Sequence, residues 1–286
     1  MPLEGEKMYL MVAGTMSNVG KSTIVMALCR YFTRKGLNVA PFKSQNMSRK
    51  FINIQNGKGK IAIAQYVQAI ACEKEPTMEF NPILIVPKEG KTQVYFMGEF
   101  IDYLTSERYM FDSKEKLFAQ IRDMLEKLSK NHDLVIIEGA GAFVEPNLKD
   151  SEIVNLRVAK SVGAQVILVS DISRGGAFAQ VAGTIELMDN KEQKLLKGFV
   201  FTKFHGDKSL LKDAPQILAK RYSIEYLGTV PYFENKIPDE DLLTKKEGEI
   251  ALNDKAQIIK EIDRITDFII EHIDISKIER IISEGM

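Results

Sequence analysis

The residues from 14 to 23 predict a phosphate-binding loop. This segment holds two glycines followed by Lys21 and Ser22, and it lies between an apolar run at 8–13 and a helical pattern. Glycines let a backbone wrap closely around an anion, and the N-terminus of the next helix directs partial positive charge towards it. Lys21 would place a full charge beside the terminal phosphates of ATP. Ser22 would offer a hydroxyl to Mg²⁺.

The spacing of this loop differs from the common pattern. Five residues separate Gly14 from the Gly20–Lys21 pair, where the usual motif has four. The predicted nucleotide contacts are the loop residues Gly14, Thr15, Asn18, Val19, Gly20, Lys21, Ser22 and Thr23. A chance glycine-rich turn is the alternative, but the strand before the loop and the helix after it both favour a nucleotide site.

A second motif combines an apolar strand at 134–137 with the carboxylate of Glu138. At the carboxyl end of a strand, this side chain could reach Mg²⁺ directly or through water. Gly139 and Gly141 would let the following backbone approach a ligand. A strand-to-loop turn with an incidental glutamate is the alternative. We predict Ser22 and Glu138 as the metal ligands.

Polar residues at three further strand ends are candidates for binding or catalysis. Lys43 follows the second predicted strand and could neutralise a γ-phosphate or an acyl phosphate, although a solvated loop is the alternative. Arg174 precedes two glycines at a helix N-terminus, which suits an anionic group. Thr202 and Lys203 stand where a nucleotide base is often bound. The predicted catalytic residues are therefore Lys21, Lys43 and Arg174.

Strand and helix patterns alternate along most of the chain, which predicts an α/β fold with a doubly wound, mostly parallel sheet. Predicted strands cover 8–13, 38–42, 134–137, 166–170, 198–202 and 226–230. Predicted helices cover 22–35, 113–130, 153–161, 176–187 and 209–221. Runs at 83–86 and 94–97 predict a hairpin with its turn at 89–91. Ligands of such a sheet bind at the carboxyl ends of its strands.

The sequence changes character after Pro238, where a polar, acidic stretch begins. Isoleucines then recur at helical spacing in 256–272 and in 276–284. We predict a P-loop ATPase domain over residues 1–243 and a helical extension over 244–286. The extension would dock on the same domain or on a partner.

Composition limits the possible partners and the compartment. Lysine plus arginine and aspartate plus glutamate each number 39, so no basic excess favours nucleic acid or an anionic membrane. The two cysteines, Cys29 and Cys72, lie in apolar helical patterns and predict reduced core thiols of a cytoplasmic protein. No apolar run is long enough to span a membrane.

These motifs, in this order, resemble the cobyric acid synthase family, specifically its N-terminal ATPase domain. That domain is related to dethiobiotin synthetase. The phosphate loop of dethiobiotin synthetase also begins with Gly-Thr, as Gly14 and Thr15 do here, and has the same longer spacing before its Gly-Lys pair. The segments that carry the resemblance are 14–23, 40–47, 81–84, 138–141, 147–150, 206–207, 230–232 and 238–241, with Asp171 and the segment 174–176. The resemblance implies a P-loop fold of the dethiobiotin synthetase-like type.

The resemblance implies ATP-dependent amidation of corrinoid side-chain carboxylates, such as those of cobyrinic acid a,c-diamide, in cobalamin biosynthesis. ATP would phosphorylate a carboxylate with the help of Mg²⁺, and ammonia would displace the phosphate. The family draws ammonia from a C-terminal glutaminase domain, for which we find no Cys/His arrangement here, so we expect a stand-alone synthetase subunit. The expected partners are a corrinoid or another polycarboxylate, a separate glutaminase subunit unless free ammonia is used, and a second copy in a homodimer.

The chain departs from the family pattern at three notable positions. Where the family usually has an acidic residue and an arginine in the helix before Ala64, this chain has Lys60 and Ile63. Where the family usually has a lysine, it has Val86. Two alternatives therefore stay open. One is a dethiobiotin synthetase-like ATPase that activates another acid, and the other is a nucleotide-dependent switch or scaffold without ligase chemistry.

Overall fold

The computed structural model describes residues 8–54, 57–88, 91–104, 114–149, 151–238 and 250–285. The strands are β1 (Met8–Gly14), β2 (Val39–Phe42), β3 (Gln45–Met47), β4 (Phe51–Ile54), β5 (Gly59–Ala62), β6 (Ile83–Lys88), β7 (Lys91–Phe96), β8 (Glu99–Tyr103), β9 (Leu134–Glu138), β10 (Gln165–Asp171), β11 (Leu196–Phe204) and β12 (Glu225–Pro231). The helices are α1 (Lys21–Arg34), α2 (Ile63–Ala71), α3 (Lys114–Asn131), α4 (Leu156–Val162), α5 (Ala177–Glu186), α6 (Asn190–Gln193), α7 (Ala214–Tyr222), α8 (Lys255–His272) and α9 (Ile275–Ser283). 3₁₀ turns cover Met78–Phe80 and Lys208–Leu211.

A parallel sheet with the strand order β12-β11-β10-β1-β9-β2 forms the centre of the molecule and is called the main sheet below. Every residue of β1, β2 and β9 is buried, because helices cover both faces of the sheet. The prediction of a doubly wound, mostly parallel α/β fold is thus confirmed. Strand β1 lies between β9 and β10, and the carboxyl ends of all three strands meet at one edge.

A smaller sheet of order β3-β6-β7-β8, the minor sheet, follows β2, together with a hairpin of β4 and β5. The predicted hairpin is the antiparallel β6–β7 pair, and residues 89–90 of its predicted turn lie outside the described residues. Sequence patterns missed β3, β4, β5 and β8, because these strands are short and their apolar alternation is weak. Lys60 lies on β5 and not in a helix, since α2 begins at Ile63.

Two C-terminal helices pack against the main sheet and against α1. Helix α8 buries Ile258, Ile262, Ile265 and Ile269, and contacts α1, α2 and β12. Arg30 of α1 bridges to Asp263 of α8 at 2.6 Å. The predicted boundary at residues 243–244 lies outside the described residues. No helix in the described parts of the chain is long and apolar enough to cross a membrane.

The packing of α8 leads to a stability prediction. Ile265 is fully buried, so the replacement Ile265→Ala leaves a cavity and is expected to lower the free energy of unfolding by about 2–5 kcal/mol. Ile259 lies on the same helix but is 39% exposed, so Ile259→Ala is the matched control and should cost less than about 1 kcal/mol. Urea denaturation of both variants measures the difference. Equal losses of unfolding free energy in the two variants would contradict the burial of Ile265 in the core.

Candidate functional site

A cleft of about 990 Å³ opens at the carboxyl edge of the main sheet. Its wall includes part of the predicted phosphate loop, Lys43 and Asn46 beyond β2, and Glu138 at the end of β9. Residues 230–237, which end β12 and continue beyond it, also line the cleft. This is the position where parallel α/β sheets bind their ligands.

The loop between β1 and α1 adopts a conformation that needs its glycines. Gly20 has φ +96° directly before α1, a left-handed conformation that favours glycine. A Cβ at Gly14 would come within 2.8 Å of the Lys21 Nζ and 2.9 Å of the Met16 carbonyl oxygen. The backbone therefore curls around the lysine ammonium, as a phosphate-binding loop requires.

Lys21 points into the centre of this loop. Its Nζ donates hydrogen bonds to the carbonyl oxygens of Met16 at 3.0 Å and Gly141 at 3.1 Å. The ammonium thereby joins the loop after β1 to the loop after β9. A phosphate bound in the loop would meet this charge together with the N-terminus of α1.

Glu138 is the centre of a buried polar cluster. Its Oε1 accepts hydrogen bonds from Ser22 Oγ at 2.8 Å and from Lys43 Nζ at 2.7 Å. Its Oε2 accepts from Gln65 Nε2 at 3.1 Å and Gln68 Nε2 at 2.5 Å. Residues from α1, β9, α2 and the loop after β2 therefore meet at a single carboxylate.

The electrostatics of this cluster keep Glu138 ionised. Burial by itself raises the pKa of the Glu138 carboxyl. The Lys43 ammonium and the hydrogen bonds from Gln68 and Ser22 outweigh burial, so the pKa lies below its ordinary value. Ser22 and Glu138 together offer a hydroxyl and a carboxylate oxygen, the hard donors that suit Mg²⁺ bound jointly to nucleotide phosphates. The residues present thus fit that ion.

Thr202 and Lys203, at the end of β11, border the cleft beside the loop. Thr202 Oγ1 donates to the Val19 carbonyl oxygen at 2.7 Å, and Lys203 Nζ donates to the Asn18 carbonyl oxygen and to Asp171 Oδ2. Burial raises the pKa of Asp171, but hydrogen bonds from Ser173 and Lys203 outweigh it and lower the pKa below its usual value. The end of β11 is therefore tied to the phosphate loop.

The cleft gathers most, but not all, of the predicted site residues. Those that line it are Asn18, Gly20, Lys21, Ser22, Thr23, Lys43, Glu138, Thr202 and Lys203. Gly14, Thr15 and Val19 of the loop do not line the cleft. The Thr15 hydroxyl donates to Gln180 of α5 at 2.9 Å. Arg174 is exposed and is not part of the cleft wall.

Sequence reasoning missed three buried amides that support the site. Gln65 and Gln68 of α2 hold Glu138, as described above. Asn155 accepts a hydrogen bond from the Ala140 amide at 2.9 Å and donates to the Ala140 and Ala142 carbonyl oxygens, so it shapes the loop after β9. The Gln65–Gln68 spacing on an otherwise apolar helix was the signal available, because buried amides need partners.

A comparison with known protein families gives one match that covers most of the chain. Residues 10–244 match the CobQ/CobB/MinD/ParA nucleotide binding domain. The chain belongs to this family. It therefore carries the nucleotide-binding domain that the loop from 14 to 23 indicated.

Curated relatives share much of this sequence. A probable cobyric acid synthase from Thermococcus kodakarensis is 51% identical over 91% of this chain and 54% of the relative. A cobyric acid synthase from Dehalococcoides mccartyi is 46% identical over 81% of this chain and 46% of the relative. The chain thus spans about half the length of the curated relatives it matches. Among solved structures, the signal recognition particle receptor FtsY from Elizabethkingia anophelis in complex with GDP is 15% identical over 92% of this chain and 65% of FtsY, with a TM-score of 0.46.

The positions where this family member departs from the cobyric acid synthase pattern lie outside the Glu138 cluster. Lys60 Nζ lies 3.9 Å from the ring centroid of Tyr95 and 5.2 Å from that of Phe51. Ile63 and Val86 are buried in apolar surroundings. The departures therefore leave the phosphate loop and Glu138 intact.

Proposed function

We propose that this chain binds ATP and Mg²⁺ in the cleft and activates side-chain carboxylates of a corrinoid for amidation, as the synthetase part of a cobyric acid synthase. The observation that carries this proposal is the cluster of Ser22, Lys43 and Glu138 beside the Lys21 loop. It joins a nucleotide site to a second cation, Lys43, at the cleft wall. The relatives named cobyric acid synthase supply the substrate class.

Phosphoryl transfer is the first of two steps. A substrate carboxylate oxygen attacks the γ-phosphorus of ATP, the bond from that phosphorus to the bridging oxygen breaks, and ADP leaves. Lys21 and the loop amides stabilise the charge that develops on the transferred group. Mg²⁺, held by Ser22 and Glu138, would neutralise charge on the phosphates. Lys43 supplies a further positive charge at the cleft wall.

Amide formation is the second step. The nitrogen of ammonia attacks the acyl carbon of the acyl phosphate, inorganic phosphate leaves, and the nitrogen loses a proton to solvent or phosphate. Ammonia comes free from solution or from a glutaminase, and a homodimer is part of the proposal. Arg174, exposed near the start of α5, would attract the anionic acceptor from outside the cleft.

A trapping experiment tests this function. The protein is incubated with ATP, Mg²⁺, cobyrinic acid a,c-diamide and either ammonium or hydroxylamine, and products are followed by mass spectrometry. We expect an amide with ammonium and a hydroxamate with hydroxylamine, with one ADP formed per product. If ATP binds but neither product forms, even when a glutaminase is added, corrinoid activation is wrong. A panel of other carboxylic acids then tests the dethiobiotin synthetase-like alternative.

A nucleotide-dependent switch is the second candidate function. Lys60 favours it, because its ammonium lies against Tyr95 and Phe51 at the position where the resemblance places an acidic residue. A switch would bind ATP without an acid-stimulated turnover. Hydrogen exchange in the ADP and ATP states would then differ, while the panel of acids would leave ADP formation unchanged.

A further inference from the structure

One row of side chains crosses the minor sheet, starting from the cleft. Asn46 on β3 pairs with Leu84 on β6, Leu84 pairs with Tyr95 on β7, and Tyr95 pairs with Phe100 on β8. Paired residues project from the same face of a sheet. Asn46 lines the cleft, whereas Phe100 is 48% exposed at the far edge. Three strand spacings of about 4.8 Å separate them, which is roughly 14 Å.

Phe100 lies between two tyrosines, and each tyrosine ring forms a cation–π contact with a lysine. Its ring is 6.0 Å from Tyr95 and 5.2 Å from Tyr103, centroid to centroid. Lys60 Nζ lies 3.9 Å from the Tyr95 centroid, and Lys91 Nζ lies 5.0 Å from the Tyr103 centroid. The face therefore presents an exposed apolar ring with a cation on either side, each held by an aromatic ring.

The charge of this face is positive among the described residues. Neither Lys60 nor Lys91 forms an ion pair with a described carboxylate. The acidic residues of β8, Glu99 and Asp102, pair with Phe96 and Val94, whose side chains join the main core on the opposite side. An anionic ligand would therefore meet little opposing charge on this face.

We propose that this face binds the body of the acceptor: a planar macrocycle whose apolar ring packs on Phe100 while its peripheral carboxylates pair with Lys60 and Lys91. This rests on the proposed function and adds to it the place where the acceptor is held. The aromatic contacts fix the two ammonium groups in advance, so less side-chain entropy is lost on binding. Leu84 and Tyr95, which lie between Phe100 and Asn46, are buried in a cluster with Ala62 and Phe51 of the β4–β5 hairpin. The reacting carboxylate of the macrocycle would therefore pass outside this hairpin to reach the cleft.

Equilibrium dialysis of cobyrinic acid a,c-diamide without ATP tests this inference, since it needs no turnover. Lys60→Gln, Lys91→Gln and Phe100→Ser are each expected to weaken binding roughly tenfold, as the loss of one good contact does. Lys35→Gln is the matched control for the lysines, because Lys35 Nζ lies 5.5 Å from the Tyr31 ring on another surface. Leu187→Ser, at a 50% exposed position, is the control for Phe100.

The outcomes separate this inference from the proposed function. If all three variants bind the macrocycle like the wild type, or the two controls weaken binding equally, the inference is wrong even where amides form. If binding depends on the three residues but no amide or hydroxamate appears, the inference stands and the proposed function falls. If the wild type binds ATP but no macrocycle, the inference is wrong, and a surface for an acidic protein becomes the alternative. ATP affinity, measured on every variant, reports intact folding.

Discussion

Replacing Lys21 with methionine is expected to slow phosphoryl transfer from ATP by roughly 10²–10³-fold, the usual cost of losing one charge-stabilising donor. Methionine keeps most of the apolar stem and removes the ammonium that the loop encloses. Because that ammonium also meets the phosphates of bound ATP, we expect the ATP affinity to fall at least about tenfold. Isothermal titration with ATP and Mg²⁺, followed by measurement of ADP formation, gives both quantities.

Lys35→Met is the matched control for Lys21→Met. Lys35 caps the far end of α1, where its side chain is 57% exposed and lies away from the cleft. Both quantities should stay within about twofold of the wild type, since exposed ion pairs contribute little. Equal effects of the two replacements would mean that Lys21 acts through the stability of α1 and not through the nucleotide.

Replacing Glu138 with glutamine is expected to lower the free energy of unfolding by about 3–5 kcal/mol near neutral pH, because the buried Lys43 ammonium loses its carboxylate. In this variant, Mg²⁺ should no longer raise the affinity for ATP. The double variant Glu138→Gln, Lys43→Met removes both charges and should recover part of the lost stability. Urea denaturation of the four proteins forms a double-mutant cycle. Additive losses would show that the two charges are not coupled.

The pKa of Glu138 makes this contribution depend on pH. A carboxyl whose pKa is lower in the folded state stabilises the fold above its unfolded pKa, which is near 4.5. That stability is lost as the pH falls from there through the lowered folded pKa. The unfolding free energy of the wild type should therefore drop more steeply than that of Glu138→Gln below about pH 4.5. If the unfolding free energies of the two proteins fell equally with pH, the lowered pKa of Glu138 would be contradicted.

Much of the fold could be predicted from the chain alone. The predicted strand runs at 8–13, 134–137 and 166–170 correspond to β1, β9 and β10 within a residue or two. Continuous apolar runs are distinctive, because a strand covered on both faces has no polar side to interrupt it. Predicted and observed bounds of α1 differ by one residue at each end. In the minor sheet, β6 and β7 were predicted as a hairpin, but β3 and β8 were missed, because short strands have too few residues to show a period.

The residues of the candidate site were also predicted only in part. Lys21, Ser22, Lys43 and Glu138 were predicted because each stands at a strand end or a glycine loop, and the carboxyl ends of parallel strands share one edge. Gln65 and Gln68 were not, since a buried amide on an apolar helix shows its partner only after the helix has packed. Thr15 was predicted to contact the nucleotide because it follows a glycine in the phosphate loop. Its hydroxyl instead donates a hydrogen bond to Gln180 of α5.

The sequence by itself therefore determined the nucleotide loop, the parallel sheet and the edge at which the charged residues lie. These depend on local conformation and on the spacing of apolar residues. Only the tertiary structure decided that Glu138 is held jointly by Ser22, Lys43 and two glutamines, and that Lys60 lies against Tyr95. Those contacts join residues up to 116 positions apart, for Ser22 and Glu138. Such pairs are set by how helices and sheets pack, and no local pattern records that packing.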